Sequence, residues 1–179
     1  KQYFQMPNDQ MVNEKMVNVP VDIVFLDCED MGTPAFYTGS QREHTWCLGS
    51  QLFAEHYAHQ TAVRYRFGIV LDMVGDPMAT FPKEYYSTQY AESYQQKIWR
   101  DANRLGYGQL FVNKPSLPII DDHFYLNYIG GIPTVDIIHY NTGFETGFAP
   151  WWHTRNDDMT NISTQTLQAV GEVIMSQIN

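Results

Sequence analysis

The sequence has few charged residues, and basic residues are the scarcer kind. Charged residues make up 17% of the 179-residue chain, against about a quarter in typical soluble proteins. Eleven Lys and Arg stand against twenty Asp and Glu, which gives a formal charge of −9. Because phosphate binding depends on clustered Lys and Arg, this balance disfavours a nucleic-acid partner.

Long hydrophobic runs and cysteines are also scarce. The longest strongly apolar segments, such as residues 23–26, have the length of a strand, whereas a transmembrane helix requires roughly 18 apolar residues. No basic-then-apolar signal segment follows Lys1, so we expect that the true beginning of the protein has been removed. Cys28 and Cys47 are too few for a disulfide scaffold, and the sequence leaves open whether they pair.

What remains is the composition of a globular domain. Aromatic residues reach 15% of the chain, and a chain of this length buries roughly two-thirds of its unfolded surface on folding. Residues 1–20 are rich in Asn and Met with little periodicity, so we interpret them as a poorly patterned lead-in segment. No repeat or linker divides residues 21–179, which we interpret as part of a single domain.

Strand patterns alternate with helix patterns along this domain. Short apolar, β-branched runs predict buried strands at residues 21–26, 67–74 and 134–139. Apolar residues at helical spacing predict helices at residues 48–57, 94–105 and 167–178, the last with Ser163 as its N-cap. This alternation predicts an α/β fold with a mostly parallel sheet flanked by helices. Catalytic groups in such folds gather at the carboxyl ends of the strands.

Acidic residues and a histidine follow these predicted strands. The groups are Asp27, Glu29 and Asp30; Asp72; Asp121, Asp122 and His123; and Trp152, His153 and Thr154. A single acid after a strand is more often a helix cap or a solvated turn residue. Several at one rim can bind zinc, while a neighbouring carboxylate moves protons. Adjacent Glu29 and Asp30 suit that division of labour, although spacing alone leaves structural roles equally open.

Other reactive residues carry weaker signals. His56 and His59 share a predicted helix, but their order does not match the His-Glu-x-x-His motif, and we expect His56 to be a partly buried structural residue. His139 ends an apolar strand and is expected to be structural, with a role in lining the site left open. No histidine partner marks Cys28 as a nucleophile, and no Gly-x-Ser-x-Gly elbow is present.

Four segments carry a resemblance to a known family. They are VDIVFLDCED, GIVLDMVGDPMATFP, IIDDHFYLNYIGGIPTVDIIHY and WWHTRNDDMTNISTQTLQAVGEVI. In this order they resemble the zinc-dependent aminopeptidase family that also contains animal-type glutaminyl cyclases, with bacterial cyclases the most similar branch. The resemblance implies a three-layer α/β sandwich, with a mostly parallel mixed sheet flanked by helices, that this chain enters after its first strands.

The resemblance also implies roles for polar residues. Glu29 matches the general acid/base and Asp30 the metal ligand beside it, while His153 matches a zinc ligand in a His-Thr-x-x-Asp motif. Asp72 matches a second-zinc ligand in the aminopeptidases but a hydrogen-bonding partner in the cyclases. Asp121 matches an acid that the cyclases place before Asp-His, and with it Glu29 can share a proton.

Aromatic residues match the walls of the cyclase pocket. Trp152 and Phe148 fit this role, and Trp46 is a further candidate wall. Asp121 and Trp152 favour the cyclase branch, because an aromatic-walled, single-zinc pocket suits an N-terminal glutamine side chain. Asp30 and His153 supply one ligand fewer than the three that catalytic zinc normally has. The family takes another from an upstream aspartate, so we expect this chain alone to lack a metal ligand.

Three functions follow, in order of preference. The first is a glutaminyl-peptide cyclotransferase with one zinc ion, which converts N-terminal Gln to pyroglutamate and releases ammonia. The second is a zinc aminopeptidase with two ions, in which Asp72 holds the second and Glu29 activates a bridging water. The third is an inactive fragment or non-catalytic binding module. The partner is the N-terminal end of peptides or proteins, and by resemblance alone the protein is exported, periplasmic or anchored as a lipoprotein.

Overall fold

Strands and helices alternate along most of the chain. The computed structural model describes residues 20–33, 44–60 and 62–178. In chain order the elements are α1 (Leu48–His59), β1 (Gly68–Asp72), β2 (Phe81–Lys83), α2 (Tyr85–Arg104), β3 (Phe111–Pro115), α3 (Asp122–Tyr128), β4 (Thr134–Ile138), a 3₁₀ turn (Met159–Asn161) and α4 (Thr164–Met175). β1 pairs in parallel with β4, and β2 in parallel with β3. The predicted α/β class with parallel strands and flanking helices is confirmed.

The main core lies where α2 and α4 cover the strands. β4 is buried at every position, as expected for a mostly apolar, β-branched strand of a parallel sheet, and it carries one buried carboxylate, Asp136. Trp99 of α2 is 2% exposed, and its indole Nε1 donates to the carbonyls of Phe81 (3.0 Å) and Val112 (3.2 Å). A second cluster joins α1 to α3 through Ala54, Tyr57, Leu126 and Ile132. No helix among the described residues is long and apolar enough to cross a membrane.

Side-chain caps set the beginnings of three helices. Glu84 accepts from the N–H groups of Tyr86 and Ser87 at the start of α2. Asp121 accepts from Asp122 N–H at the start of α3. Ser163 accepts from Thr166 N–H, so the predicted N-cap of α4 is confirmed. Since Glu84 is the cap, α2 begins well before residue 94, where its apolar periodicity becomes visible.

The predicted buried strand at residues 21–26 is wrong. These residues are not assigned to any strand, and Ile23 and Phe25 are 81% and 94% exposed. The tyrosine hydroxyl of Tyr65 donates to Asp22 Oδ2 at 2.7 Å. A β-branched apolar run becomes a strand only beside another strand, and none of the described residues pairs with this one. The predicted lead-in, residues 1–20, lies outside the described residues except for Pro20.

Candidate metal and carboxylate site

Asp30 and His153 meet at the rim of the sheet. His153 Nε2 lies 3.1 Å from Asp30 Oδ1, although 123 residues separate them in sequence. Two neighbouring ligands of a tetrahedral zinc ion stand about 3.3 Å apart when the bonds are near 2.0–2.1 Å. The pair therefore fits two positions of a zinc site. Among the described residues, no third His, Cys, Asp or Glu joins them in a cluster of possible ligands.

Glu29 lies beside this pair. Burial, together with the hydrogen bond and the charge of Asp30, raises the pKa of Glu29 to about 7. A carboxyl group that titrates near neutral pH can both accept and return a proton. Burial also raises the pKa of Asp72 to about 6, although the backbone N–H of Met73 opposes this shift. Asp72 contributes to the raised pKa of Glu29, so both carboxyl groups share one electrostatic environment.

Asp121 lies deeper than the other predicted acids. It is 4% exposed, and its Oδ2 is buried without a hydrogen-bond partner, whereas Oδ1 accepts from Asp122 N–H at 2.6 Å. Burial and the charge of Asp72 raise its pKa well above the usual range. Single donor atoms of Asp121, Glu29 and Cys47 all lie within 4.8 Å of one another. The structure thus brings Glu29, Asp72 and Asp121 together, as their predicted catalytic roles require.

Aromatic rings lie beside the two segments that carry the predicted metal ligands. Phe148 and Trp152 are half-buried, with ring centroids 4.6 Å apart, and Trp152 stacks on His153 at 3.8 Å. Trp46 lies against Gly32, where an added Cβ would come within 2.0 Å of the indole. The three predicted wall residues therefore flank the segments that carry His153 and Asp30.

Backbone strain concentrates around the same residues. Non-glycine residues with a positive φ are uncommon, and those outside favoured turns cost of order 1–3 kcal/mol each. Those among the described residues are Cys28 (57°), His44 (54°), Cys47 (55°), Met73 (49°) and His153 (57°). Cys28 precedes Glu29, Met73 follows Asp72, and His153 is itself a predicted ligand. Such clustering is typical of functional sites, where the surroundings hold a strained backbone in place.

The sequence analysis missed a buried triad behind Asp121. His123 Nε2 lies 2.9 Å from Glu84 Oε2, and Nδ1 lies 3.2 Å from Asp136 Oδ2, with all three residues fully buried. Burial raises the pKa of Asp136 well above the usual range, with a further contribution from Asp121. Burial acts in the same direction on Glu84, but the hydrogen bond and charge of His123 and the N–H groups of Ser87 and Tyr86 lower its pKa overall.

This triad is also part of a second cluster of possible metal ligands. Donor atoms of Asp121, His123 and Asp136 lie within 4.8 Å of one another. Both ring nitrogens of His123 already face carboxylates, Nε2 in a hydrogen bond with Glu84 and Nδ1 in a 3.2 Å contact with Asp136, so we interpret the cluster as a buried network of carboxylates around His123. The signal in the sequence was the lone carboxylate of Asp136 inside an apolar strand, because buried charges require partners.

His139, His56 and the two cysteines were the other reactive residues of the sequence analysis. His139 is buried, and its Nδ1 accepts from Thr80 N–H at 2.9 Å, as expected for a structural residue. The prediction for His56 was wrong: it is exposed, because α1 buries the face with Ala54 and Tyr57 instead. Cys28 and Cys47 are both free, so the disulfide alternative is excluded.

Comparisons with known proteins agree with this geometry. Residues 8–178 match the sequence model of Peptidase family M28. A Zn-dependent exopeptidase from Parabacteroides distasonis is 41% identical, with a TM-score of 0.86 over 92% of this chain and 56% of that chain. Tannerella forsythia glutaminyl cyclase is 47% identical, with a TM-score of 0.78 over 86% of this chain and 52% of that chain. A leucine aminopeptidase precursor from Bacteroides thetaiotaomicron is 43% identical, with a TM-score of 0.78 over 86% of this chain and 51% of that chain.

The chain therefore spans about half the length of these solved relatives. A comparison with curated proteins gave no match.

Proposed function

Because the chain belongs to peptidase family M28, we propose that it forms part of a zinc-dependent glutaminyl-peptide cyclotransferase that acts on the N-terminal end of peptides. Solved structures similar to it include both glutaminyl cyclases and Zn-dependent exopeptidases. The choice between these activities therefore depends on the residues of the site.

The observation that carries the cyclase proposal is the buried carboxyl group of Asp121 beside Glu29. Its Oδ2 is buried without a partner, and its pKa is raised well above the usual range by burial and by Asp72. Two such carboxyl groups cannot both ionise easily, so they share a proton. A shared proton suits a reaction that takes a proton from an amine and returns it to ammonia.

Asp30 and His153 would hold the zinc ion, which supplies Lewis-acid polarisation of the substrate γ-carbonyl when bound. Glu29 accepts the proton of the substrate α-amine as the amine nitrogen forms a bond to the carbonyl carbon of the side-chain amide. Glu29 then returns the proton to the amide nitrogen, the bond between that nitrogen and the carbonyl carbon breaks, and ammonia leaves. Asp121 holds the hydrogen-bond network, and the rings of Trp152, Phe148 and Trp46 enclose the glutamine side chain.

A zinc aminopeptidase is the second candidate, favoured by the 43% identity to a leucine aminopeptidase precursor. In that reaction Asp72 would hold a second ion, and Glu29 would accept a proton from a water molecule. Burial and the charge of Asp30 raise the pKa of Asp72 to about 6, although the Met73 N–H opposes them, and the number of bound ions distinguishes the two roles of Asp72.

The test is mass spectrometry of the complete protein with a Gln-initiated and a Leu-initiated peptide, alongside its zinc content. Loss of one ammonia from the first peptide, with one zinc ion per chain, supports the cyclase. Release of N-terminal residues with two tightly bound ions would sink it, and an absence of zinc and turnover supports a non-catalytic binding module. Export to the periplasm, or a lipoprotein anchor, belongs to the same proposal, and fractionation of the source cells tests it.

A further inference from the structure

The beginning of α1 is hydrogen-bonded to the turn that carries Glu29 and Asp30. Three consecutive backbone N–H groups donate to three consecutive carbonyl groups of that turn. The pairs are Cys47 to Glu29 (2.9 Å), Leu48 to Cys28 (3.1 Å) and Gly49 to Asp27 (2.9 Å). The first N–H groups of a helix have no partner within the helix. Here the turn with the predicted acids satisfies them, so the position of α1 and the position of the acids are coupled.

Gly49 is the point of closest approach. A Cβ at this position would lie 2.2 Å from the carbonyl oxygen of Asp27 and 2.6 Å from its nitrogen. Ordinary contacts begin near 3.4 Å, so any larger residue would separate the two backbones by about 1 Å. Both neighbours are backbone atoms and cannot turn aside. Glycine is a poor helix former, yet this close contact excludes every other residue.

A second glycine contact lies farther along the same turn. A Cβ on Gly32 would lie 2.0 Å from the Trp46 ring. Nearby, the N–H of Thr33 donates to Thr45 Oγ1 at 2.8 Å. Because Trp46 is a half-buried side chain, it can move where the backbone at Asp27 cannot. The two glycine contacts therefore join the turn of Glu29 and Asp30 to its surroundings, to α1 through Gly49 and to the predicted aromatic wall Trp46 through Gly32.

We propose that these two contacts, which we call the glycine clamp, position the predicted catalytic groups, with Gly49 as a positioning residue for Glu29 and Asp30. The positions of the two contacts do not depend on the proposed function; only the identity of the reaction whose groups they position rests on it. A catalytic group misplaced by about 1 Å can cost about 100-fold in rate. A substitution at position 49 is therefore expected to lower kcat and to loosen zinc. A substitution at position 32, which displaces Trp46, is expected to act mainly on KM.

The test compares Gly49→Ala with Gly171→Ala in the complete protein. Gly171 is the matched control, because it lies inside α4 and an added Cβ there meets nothing within 4 Å. We expect Gly49→Ala to lower kcat about 100-fold and to release zinc to a chelator faster, with helical circular dichroism retained. Gly171→Ala should leave kcat, the rate of zinc release and the circular dichroism unchanged. Gly32→Ala should raise KM by a larger factor than it lowers kcat, a split that simple loss of stability does not produce.

Wild-type kcat and zinc release in Gly49→Ala would overturn the clamp, as would a crystal structure in which Glu29 moves by less than about 0.5 Å, the tolerance of a preorganised site. If Gly49→Ala does not fold, Gly32→Ala decides, and unchanged kinetic constants in that variant reject the proposal. If the wild type converts no peptide, the proposed function fails, but the zinc-release ratio between Gly49→Ala and Gly171→Ala still tests the clamp.

Discussion

Replacing Glu84 with Gln should destabilise the fold more than any surface substitution. The fully buried carboxylate accepts from Tyr86 N–H (2.9 Å), Ser87 N–H (2.7 Å), Ser87 Oγ–H (3.0 Å), Ile119 N–H (3.1 Å) and His123 Nε2–H (2.9 Å). Glutamine keeps one acceptor oxygen and turns an NH₂ group toward the other donors. One carboxylate therefore joins the start of α2, the loop before α3 and α3 itself.

The size of the effect follows from these contacts. If the amide nitrogen replaces Oε1, the N–H groups of Tyr86 and Ile119 both lose their acceptor. A buried unsatisfied donor costs about 1–3 kcal/mol, and the loss of a hydrogen bond to a charged group, here the carboxylate of Glu84, costs about 1.5–3 kcal/mol. Since these terms overlap, we expect Glu84→Gln to lower the free energy of unfolding by about 4 kcal/mol, a large part of a typical stability of 5–15 kcal/mol.

The assay is equilibrium urea unfolding at pH 7, followed by the fluorescence of buried Trp99. With an m-value of about 2 kcal/mol/M, the urea midpoint should fall by about 2 M while m stays unchanged. The control is Glu92→Gln in the same helix, which is exposed and should stay within about 0.5 kcal/mol of the wild type. A loss below about 1 kcal/mol for Glu84→Gln would refute this account of the network.

The same variant gives a pH dependence with a defined sign. The pKa of Glu84 is lower in the folded state than its usual value. Its ionised form therefore contributes stability above the unfolded pKa, near 4.3 for Glu, and this contribution is lost as the pH falls below it. The gap in unfolding free energy between wild type and Glu84→Gln should narrow below about pH 4.

Three further changes have expected outcomes. Glu29→Gln should lower turnover at least about 100-fold while zinc stays bound, since a positioned general base is lost. Trp152→Ala should raise KM for a Gln-initiated peptide about tenfold, because a stacked aromatic wall is removed. Trp99→Phe should lower the free energy of unfolding by about 1–3 kcal/mol, because the buried carbonyls of Phe81 and Val112 lose their donor.

Each of these changes has a control and a contrary result. Exposed Glu145→Gln should leave turnover intact, and full activity of Glu29→Gln would remove Glu29 from the reaction. Trp151→Ala removes a half-buried neighbour, and equal KM effects at positions 151 and 152 would argue against a specific wall. Unfolding of Trp99→Phe at the wild-type urea midpoint would show that its indole hydrogen bonds contribute nothing.

The predictable strands were those with both an apolar pattern and a partner. Residues 67–74 and 134–139 contain β1 and β4, which pair with each other. Residues 21–26 have the same local pattern but no partner among the described residues. β2 and β3 went unnoticed because β2 has only three residues and both strands carry a proline, Pro82 and Pro115, where apolar repetition would be expected. An apolar pattern indicates which side chains a strand could bury, but the strand forms only where a neighbouring segment pairs with it.

The sequence likewise predicted one part of the site and not another. Motif order was sufficient to suggest that Asp30 and His153 meet, and their 3.1 Å contact agrees with that suggestion. The network of Glu84, His123 and Asp136 escaped notice, because Glu84 and His123 have ordinary local contexts and the carboxylate of Asp136 inside an apolar strand indicates only that a partner is needed, not which one. Their relation exists only after three elements pack together, and no spacing in the sequence encodes it.

The contact between Asp30 and His153 also constrains when the metal site can exist. Its two sides are 123 residues apart in sequence, so two distant segments must come together before these side chains face each other. Contacts of such long separation form after local ones during folding. During synthesis, Asp30 emerges from the ribosome long before His153, so the contact cannot form until the later segment has been made. If these two residues hold zinc as proposed, zinc binding there follows the meeting of the two segments, and a bound ion marks a chain in which that long-range contact has already formed.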